Sequence, residues 1–389
     1  MSLKVRSQLT ICFPKLFAAV AILAVGATQI SAICENFKAN CPAEAPCCKD
    51  GWCSNDPLFC SPSNCRPLDS FSPESCYPRA LCVNALHEFD NTKIAGTNFT
   101  GDPAVADWTS DFTPSNVRAE NGQLVLFMPL DSKVNSFGNT QGFGATVSAV
   151  RWFDYGKVSA RIKSASISKG VVSSFIVRNF EGDEIDFEWV GGYPNRVESN
   201  YYYGNDHDYS NGDKHDVGAN TAEDFHTYMI EWQPDFITWS VDDKVVRTVS
   251  KANTLNATTN AYLYPQRMAR VQLGLWDGGR GSEGTKEWAG GETDWSDPNR
   301  VYSMYVDWVK IECKYGGNET VVWTTPTHSQ ATAVTTLGSG NPQATNSNPG
   351  DSLNNHSKDK TAPGKNTGSF VSVGSLPLIL AAGVAHILN

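Results

Sequence analysis

The run Asp183-Glu184-Ile185-Asp186-Phe187-Glu188 sets three carboxylic acids at a spacing of two, with large apolar residues between them. Successive side chains of a β-strand point to opposite faces. Glu184, Asp186 and Glu188 therefore share one face, and Ile185, Phe187 and Trp189 share the other. Like charges side by side on one face repel each other, so stability does not select such a row, whereas a site can. Two carboxylates flanking a sugar–sugar bond are the equipment of glycoside hydrolysis. Two blander readings compete: an exposed edge strand that carries acid, and a calcium site. The flanking residues weigh against both. Val171 to Val177 reads as a buried strand, Asn179-Phe180-Glu181-Gly182 as a turn, and Trp189-Val190-Gly191-Gly192 follows, which puts the acids on the second strand of a central hairpin.

The elements that must position this row are strands. Lys157–Lys163, Arg196–Tyr203 and Thr227–Trp232 alternate in the β manner. The last turns through Gln233-Pro234-Asp235 into Phe236–Val241, and Asp242-Asp243 turns again into Lys244–Val249. No stretch shows a sustained helical period, and many strands at this spacing predict an all-β, two-sheet sandwich. The chain has 389 residues, 19% charged and 11% aromatic, with 32 glycines, a profile that suits carbohydrate handling. Its net charge of -10 disfavours nucleic acid and anionic membrane surfaces. No nucleotide or redox-cofactor motif is present, so the sequence predicts no cofactor and names no metal ligand set.

The two ends predict export. Lys4, Arg6 and Lys15, the apolar run Leu16–Ala27 and the small residues Ser31 and Ala32 read as a signal peptide over 1–32; a membrane anchor is the competing reading, against which the run is short. Residues 316–366 are rich in Ser, Thr, Asn, Gly and Pro, the composition of a disordered, O-glycosylated stalk. Residues 367–389 close on an uncharged apolar tail behind small residues, the pattern of a GPI-attachment signal with Asn366 as the attachment residue; a plain tail anchor is the alternative. Asn98, Asn256, Asn318 and Asn355 head N-glycosylation sequons. Eleven cysteines include Cys12, which leaves with the signal; nine of the rest lie between Cys34 and Cys82, and Cys313 stands alone. In a secreted chain that count means disulfides, and the segment lacks the His and the paired C-x-x-C units of a zinc cluster.

The spacing C-x6-C-x5-C-C-x4-C-x6-C-x4-C over residues 34–65, with Cys47-Cys48 and Gly51-Trp52-Cys53, resembles the hevein-like chitin-binding module, here with its link 33–76. The resemblance implies the pairs Cys34–Cys48, Cys41–Cys53 and Cys47–Cys60, with Cys65–Cys76 closing the next loop and Cys82–Cys313 left to tie the ends of the main domain. Trp52 and Phe59 fall on sugar-stacking positions of that module. The segment between Cys48 and Gly51 is one residue short, so one stacking aromatic is missing, and chitin binding and a structural cap stand as alternatives.

Residues 77–315 resemble glycoside hydrolase family 16, a β-jelly-roll family with a concave cleft, and within it the Crh family of fungal cell-wall chitin–glucan transglycosylases. The matching pieces are Tyr155-Gly156-Lys157-Val158, Val172-Ser173-Ser174, Asp183 to Gly192, Phe225-His226-Thr227-Tyr228, Leu273-Gly274-Leu275-Trp276 and Glu287 to Asp294. The resemblance implies a retaining mechanism with Glu184 as nucleophile, Glu188 as acid and then base, and Asp186 as an auxiliary that bonds the nucleophile. Strand positions four apart are separated by roughly 13 Å at Cα, and leaning Glu side chains must close most of that gap to the 5–5.5 Å or so of a retaining pair. A third carboxylate disfavours full ionisation of the row, and Glu188 beside Trp189 is the expected proton holder.

Trp189, Tyr202, Tyr203, Trp276 and Trp288 are candidates for sugar-stacking floors or for core; alternation turns one of Tyr202 and Tyr203 inward. Gly278, Gly279, Gly290 and Gly291 beside the last two tryptophans would let ligand approach the backbone. His226 suits a cleft or a buried hydrogen bond, Arg267 or Arg270 could bind sugar hydroxyls or pair with acid, and Thr293 completes the substrate-binding set. The expected partners are chitin, β-glucan and a GPI lipid on the outer surface or wall, for a protein expected to be a monomer. Three functions remain open: chitin cleavage with transfer to β-glucan, plain hydrolysis of chitin or β-glucan, and a non-catalytic lectin of the wall. The three intact acids weigh against the last.

Overall fold

The computed structural model describes residues 34, 40–96, 99–135, 137–204 and 208–315. The signal 1–32, the stalk, the apolar tail, and Asn98, Asn318, Asn355 and Asn366 lie outside the described residues. Among those described, no helix is long and apolar enough to cross a membrane.

Two large sheets form a jelly-roll sandwich. The outer sheet runs Lys244–Ser250, Phe236–Val241, His226–Trp232, Gly156–Lys163, Val301–Cys313, Gln123–Val134 and Val117–Glu120, with Ala85–Glu88 and Thr140–Gly142 added beside the path. The second sheet runs Asp213–Asp216, Arg196–Tyr202, Glu184–Val190, Val171–Arg178, Arg270–Asp277, Ala145–Ala149, Trp108–Phe112 and Ile94–Ala95. The acid strand Glu184–Val190 thus has paired neighbours on both sides, antiparallel to Val171–Arg178 and to Arg196–Tyr202. No edge is open beside it, which removes the decorated-edge reading.

The strand holds because its other face is core. Ile185, Phe187 and Trp189 are at most 1% exposed and pack between the sheets. Tyr228 of the outer sheet meets Phe187 and Trp189 edge-on, with ring centroids 5.6 and 4.5 Å apart. Burying each such side chain contributes roughly 1.5–3 kcal/mol, which offsets the cost of the acids opposite. The Trp239 indole crosses from the outer sheet and donates to the Asp186 carbonyl at 2.9 Å, fixing the strand at the middle of the acid row.

A short helix, Glu283–Trp288, breaks the all-strand expectation. Ser282 caps it by accepting from the Thr285 N–H, and it carries Trp288 towards the acid face. Five disulfides lie among the described residues: Cys34–Cys48, Cys41–Cys53, Cys47–Cys60, Cys65–Cys76 and Cys82–Cys313. In the N-terminal segment, Cys47–Lys49 and Trp52–Ser54 make a hairpin through Asp50 and Gly51, both at positive φ as a tight two-residue turn requires. This segment and the chain that leads out of it are latched to the sandwich at the turn just before the acid strand. Arg66 donates to the Phe180 carbonyl at 3.4 Å, and Arg79 pairs with Glu181 at 3.2 Å with its guanidinium 4.3 Å above the Trp152 ring.

Candidate active site

Register builds the site. Across the acid strand, Glu184 faces Tyr202 on one side and Arg178 on the other; Asp186 faces Asn200 and Ile176; Glu188 faces Glu198 and Ser174. The next strand continues these rows with Arg270, Gln272 and Gly274, then Trp276 opposite Val172. All three acids point away from the inter-sheet core, yet Glu184, Asp186 and Glu188 are only 4%, 1% and 5% exposed. Side chains on an open sheet face would meet solvent, so this face is walled. One wall is the Trp276–Trp288 pair, stacked with centroids 5.8 Å apart and planes 19° apart, packed with Val172, Val190, Tyr202 and Ala289.

Polar atoms without partners converge on this face. Glu184 Oε1, Asp186 Oδ2, Glu188 Oε1, Ser174 Oγ, Arg178 Nη1, Gln272 Oε1 and Trp276 Nε1 are buried with no hydrogen-bond partner within the protein. Most buried polar groups are satisfied, so a group of orphans on one face marks a candidate site for a polar ligand. Asp183, one residue before the row, behaves oppositely. It accepts from the N–H groups of Gly204, Gln266 and Arg267 at 2.9–3.0 Å and from the Arg267 guanidinium at 2.9 Å.

The electrostatics split the row. Burial raises the Glu184 carboxyl above its ordinary range, and Arg178, with Nε 3.5 Å from Oε2, pulls it back. Burial lifts Asp186 well above the carboxylate range, helped by the charge of Glu184 and opposed by Arg247. Glu188 is also held well above it, by burial first and then by Asp186, Glu184 and Glu198, with no cation acting against them. Burial and the three acids push the Tyr202 phenol upward as well, and its oxygen accepts from Asn200 Nδ2 at 2.7 Å.

The other expected positions divide. Tyr202, Trp276 and Trp288 lie on the acid face; Tyr202 and Tyr203 are separated by alternation, since Tyr202 pairs with Glu184. Trp189 does not: as the third apolar residue of the strand it sits in the core at 0% exposure, so its sequence adjacency to Glu188 is misleading. His226 belongs to the outer sheet and shares the inward side of Tyr228; its Nδ1 meets Asp242 at 2.7 Å, far from the acid row in topology. Thr293 is 2% exposed and its hydroxyl donates to Asp277. Arg270 is buried and bound to Asp111 at 2.6 Å, and Arg267 braces Asp183 and the Glu181 carbonyl with Tyr203 stacked 4.9 Å away. These three are supports of the site and their polar groups are committed.

Two of the glycines near the tryptophans, Gly279 and Gly290, are occupied by close backbone contacts. A Cβ on Gly290 would stand 2.9 Å from the Gly192 Cα, and one on Gly279 would stand 2.4 Å from the Thr293 nitrogen. Backbone passes backbone there, which seats the helix segment against the acid sheet. In the N-terminal segment Trp52 is half-buried. Phe59 packs on the disulfide cluster with the Lys49 ammonium 5.7 Å from its ring centre. Asn256 accepts from the N–H groups of Thr258 and Thr259 within a surface turn.

Sequence reading missed Arg178, Glu198 and Asn200. Counting back by twos from Tyr202 would have put Asn200 and Glu198 on the acid face, and Arg178 only needed the preceding strand extended by one residue.

Residues 105–310 match glycosyl hydrolases family 16. Crh-like protein 2 of Aspergillus fumigatus is 38% identical over 306 residues, covering 74% of this chain and 65% of the relative. Congo red hypersensitive protein 2 of Saccharomyces cerevisiae is 36% identical over 286 residues, covering 70% and 57%. Among solved structures, the Crh5 transglycosylase in complex with NAG is 30% identical and covers 64% of this chain and 91% of that one, with a TM-score of 0.51. The chain spans about three fifths of the length of the curated relatives it matches. Because the matched region carries the acid hairpin and the strands on both sides of it, the chain belongs to glycosyl hydrolases family 16, among the Crh-like proteins.

Proposed function

We propose that this protein is a retaining glycosidase and transglycosylase of the cell wall, which cleaves chitin and passes the fragment to β-glucan. The observation that carries this reading is the walled acid face, with three buried carboxyls and unpartnered polar atoms converging on it. Glu184, the acid with an arginine beside it, is the nucleophile. It attacks the anomeric carbon while Glu188 gives its proton to the departing sugar oxygen, leaving a glycosyl ester on Glu184. Glu188, now ionised, takes the proton of an incoming sugar hydroxyl, whose oxygen displaces Glu184 from the anomeric carbon. Asp186, whose carboxyl burial and the charge of Glu184 hold well above the ordinary range, stands between the two glutamates on the same face as the auxiliary to Glu184. Trp276, Trp288 and Tyr202 give apolar surface for sugar faces beside the row.

The solved Crh5 transglycosylase is in complex with NAG; carried to this chain, that supports an N-acetylated glucosamine polymer as donor. Transfer in place of hydrolysis requires an acceptor subsite that holds a sugar hydroxyl in line better than water. The same reading extends to the remaining segments. Residues 33–76 form a hevein-like module with Trp52 as its sugar-stacking aromatic, residues 77–315 are catalytic, and the ends direct export and GPI attachment at the wall. The test is a labelled chito-oligosaccharide incubated with soluble β-glucan. Label in polymer supports the proposal, label only in shorter sugars makes the protein a hydrolase, and unchanged substrate makes it a binder.

A further inference from the structure

Two charged residues that sequence reading missed flank the acid row at opposite ends. Arg178 stands beside Glu184, Nε to Oε2 3.5 Å, with Nη1 buried and unpartnered. Glu198 stands directly across from Glu188 on the next strand, and facing residues of an antiparallel pair have Cβ atoms about 4.5–5.5 Å apart. Glu198 is locked: Oε1 accepts from Arg196 at 2.6 Å and has Lys214 at 4.0 Å, while Oε2 accepts from the Trp288 indole at 3.1 Å. A carboxylate held by Arg196, Lys214 and an indole N–H cannot turn away, so its charge stays next to Glu188.

We propose that Arg178 and Glu198 are positioning residues that assign the two roles in the row: the cation favours the ionised form of Glu184, and the anion favours the protonated form of Glu188. This inference rests on the mechanism proposed above. The surroundings leave these two as the asymmetric elements. Glu184 otherwise faces Asp186 along its own strand and Tyr202 across; Arg270, behind Arg178, is neutralised by Asp111. Glu188 otherwise faces Asp186 and Glu184 along its strand and the uncharged Ser174. Arg247, from the outer sheet, acts on Asp186 in the centre and so favours neither end. The second oxygen of Glu198 also accepts from the Trp288 indole and so fixes Trp288 against Trp276, coupling the electrostatics of the row to its sugar-stacking surface.

The test titrates the glutamate carboxyls of the full chain by carbon-detected NMR, in wild type, Arg178→Met, Arg178→Lys and Glu198→Gln, beside a pH–rate profile of each. Removing the cation raises the Glu184 midpoint by about one pH unit; Lys restores it. Removing the anion lowers the Glu188 midpoint by roughly half a pH unit, because Arg196 and Lys214 already share its charge. The acidic limb of the rate profile then moves up in Arg178→Met, and the alkaline limb moves down in Glu198→Gln. Unchanged midpoints, or midpoints moving in the same direction, overturn the inference. Midpoints that move as stated while the limbs stay put uphold it and overturn instead the roles given to Glu184 and Glu188, so the two failures are distinct. Circular dichroism of each variant confirms that the sandwich is retained.

Discussion

Asp183 and the row that begins one residue later are both buried acid, and they are built for opposite ends. Asp183 receives three backbone N–H groups and a guanidinium, so each oxygen is satisfied by the protein itself. Each acid of the row keeps one oxygen with no partner. A second satisfied acid, Asp277, makes the same point from the next strand but one: it accepts from the Gly142 N–H at 2.8 Å, the Trp295 indole at 2.8 Å and the Thr293 hydroxyl. A buried carboxylate with both oxygens engaged is structural, and one with an oxygen left wanting is kept for chemistry. Burial alone does not distinguish them.

The comparison breaks most clearly in activity. Glu184→Gln and Glu188→Gln are expected to lower turnover by about a thousandfold or more, with Asp186→Asn lower by less, while all three keep a native circular dichroism spectrum and a cooperative melt. Near-normal turnover in Glu184→Gln would remove it from the chemistry. The next largest effect is the converse one. Asp183→Ala leaves three backbone N–H groups without an acceptor and takes from the Arg267 guanidinium its carboxylate partner, leaving it only the Glu181 carbonyl, and is expected to destabilise the fold by about 3 kcal/mol, measured by urea denaturation. A variant as stable as wild type would erase the distinction between Asp183 and its neighbours.

The smallest effect is the sharpest discriminator. Burial holds the folded Glu188 carboxyl well above its ordinary range, so its contribution to stability is present below that range and lost as pH rises through the folded value. Gln copies the neutral form at every pH. Glu188→Gln should therefore match wild type near pH 4 and exceed it near pH 7, by about 1 kcal/mol or a few degrees of melting temperature. A variant less stable than wild type at neutral pH would show that Glu188 belongs with Asp183.

Much of this was legible in the chain because the relevant signals are local. The spacing of Glu184, Asp186 and Glu188 and the apolar residues between them specify a strand with two unlike faces, and turn residues bound its neighbours. The same alternation, applied strictly, already excludes Trp189 from the acid face. What stayed hidden depends on pairing between strands. Glu198 and Arg178 become relevant only once the register of three strands is known. His226 follows the same rule in reverse: its aromatic surroundings are real, but they belong to the other sheet and to Asp242. Gly279 and Gly290 announce close approach without saying of what, and what approaches most closely is backbone.

The Cys82–Cys313 bridge encloses a sequence separation of 231 residues and joins the two ends of the sandwich. Any pull between the N-terminal segment and the chain beyond Lys314 therefore runs through one covalent crosslink and leaves the strands slack. The chain between the two cysteines, acid row included, lies off that shortest covalent path.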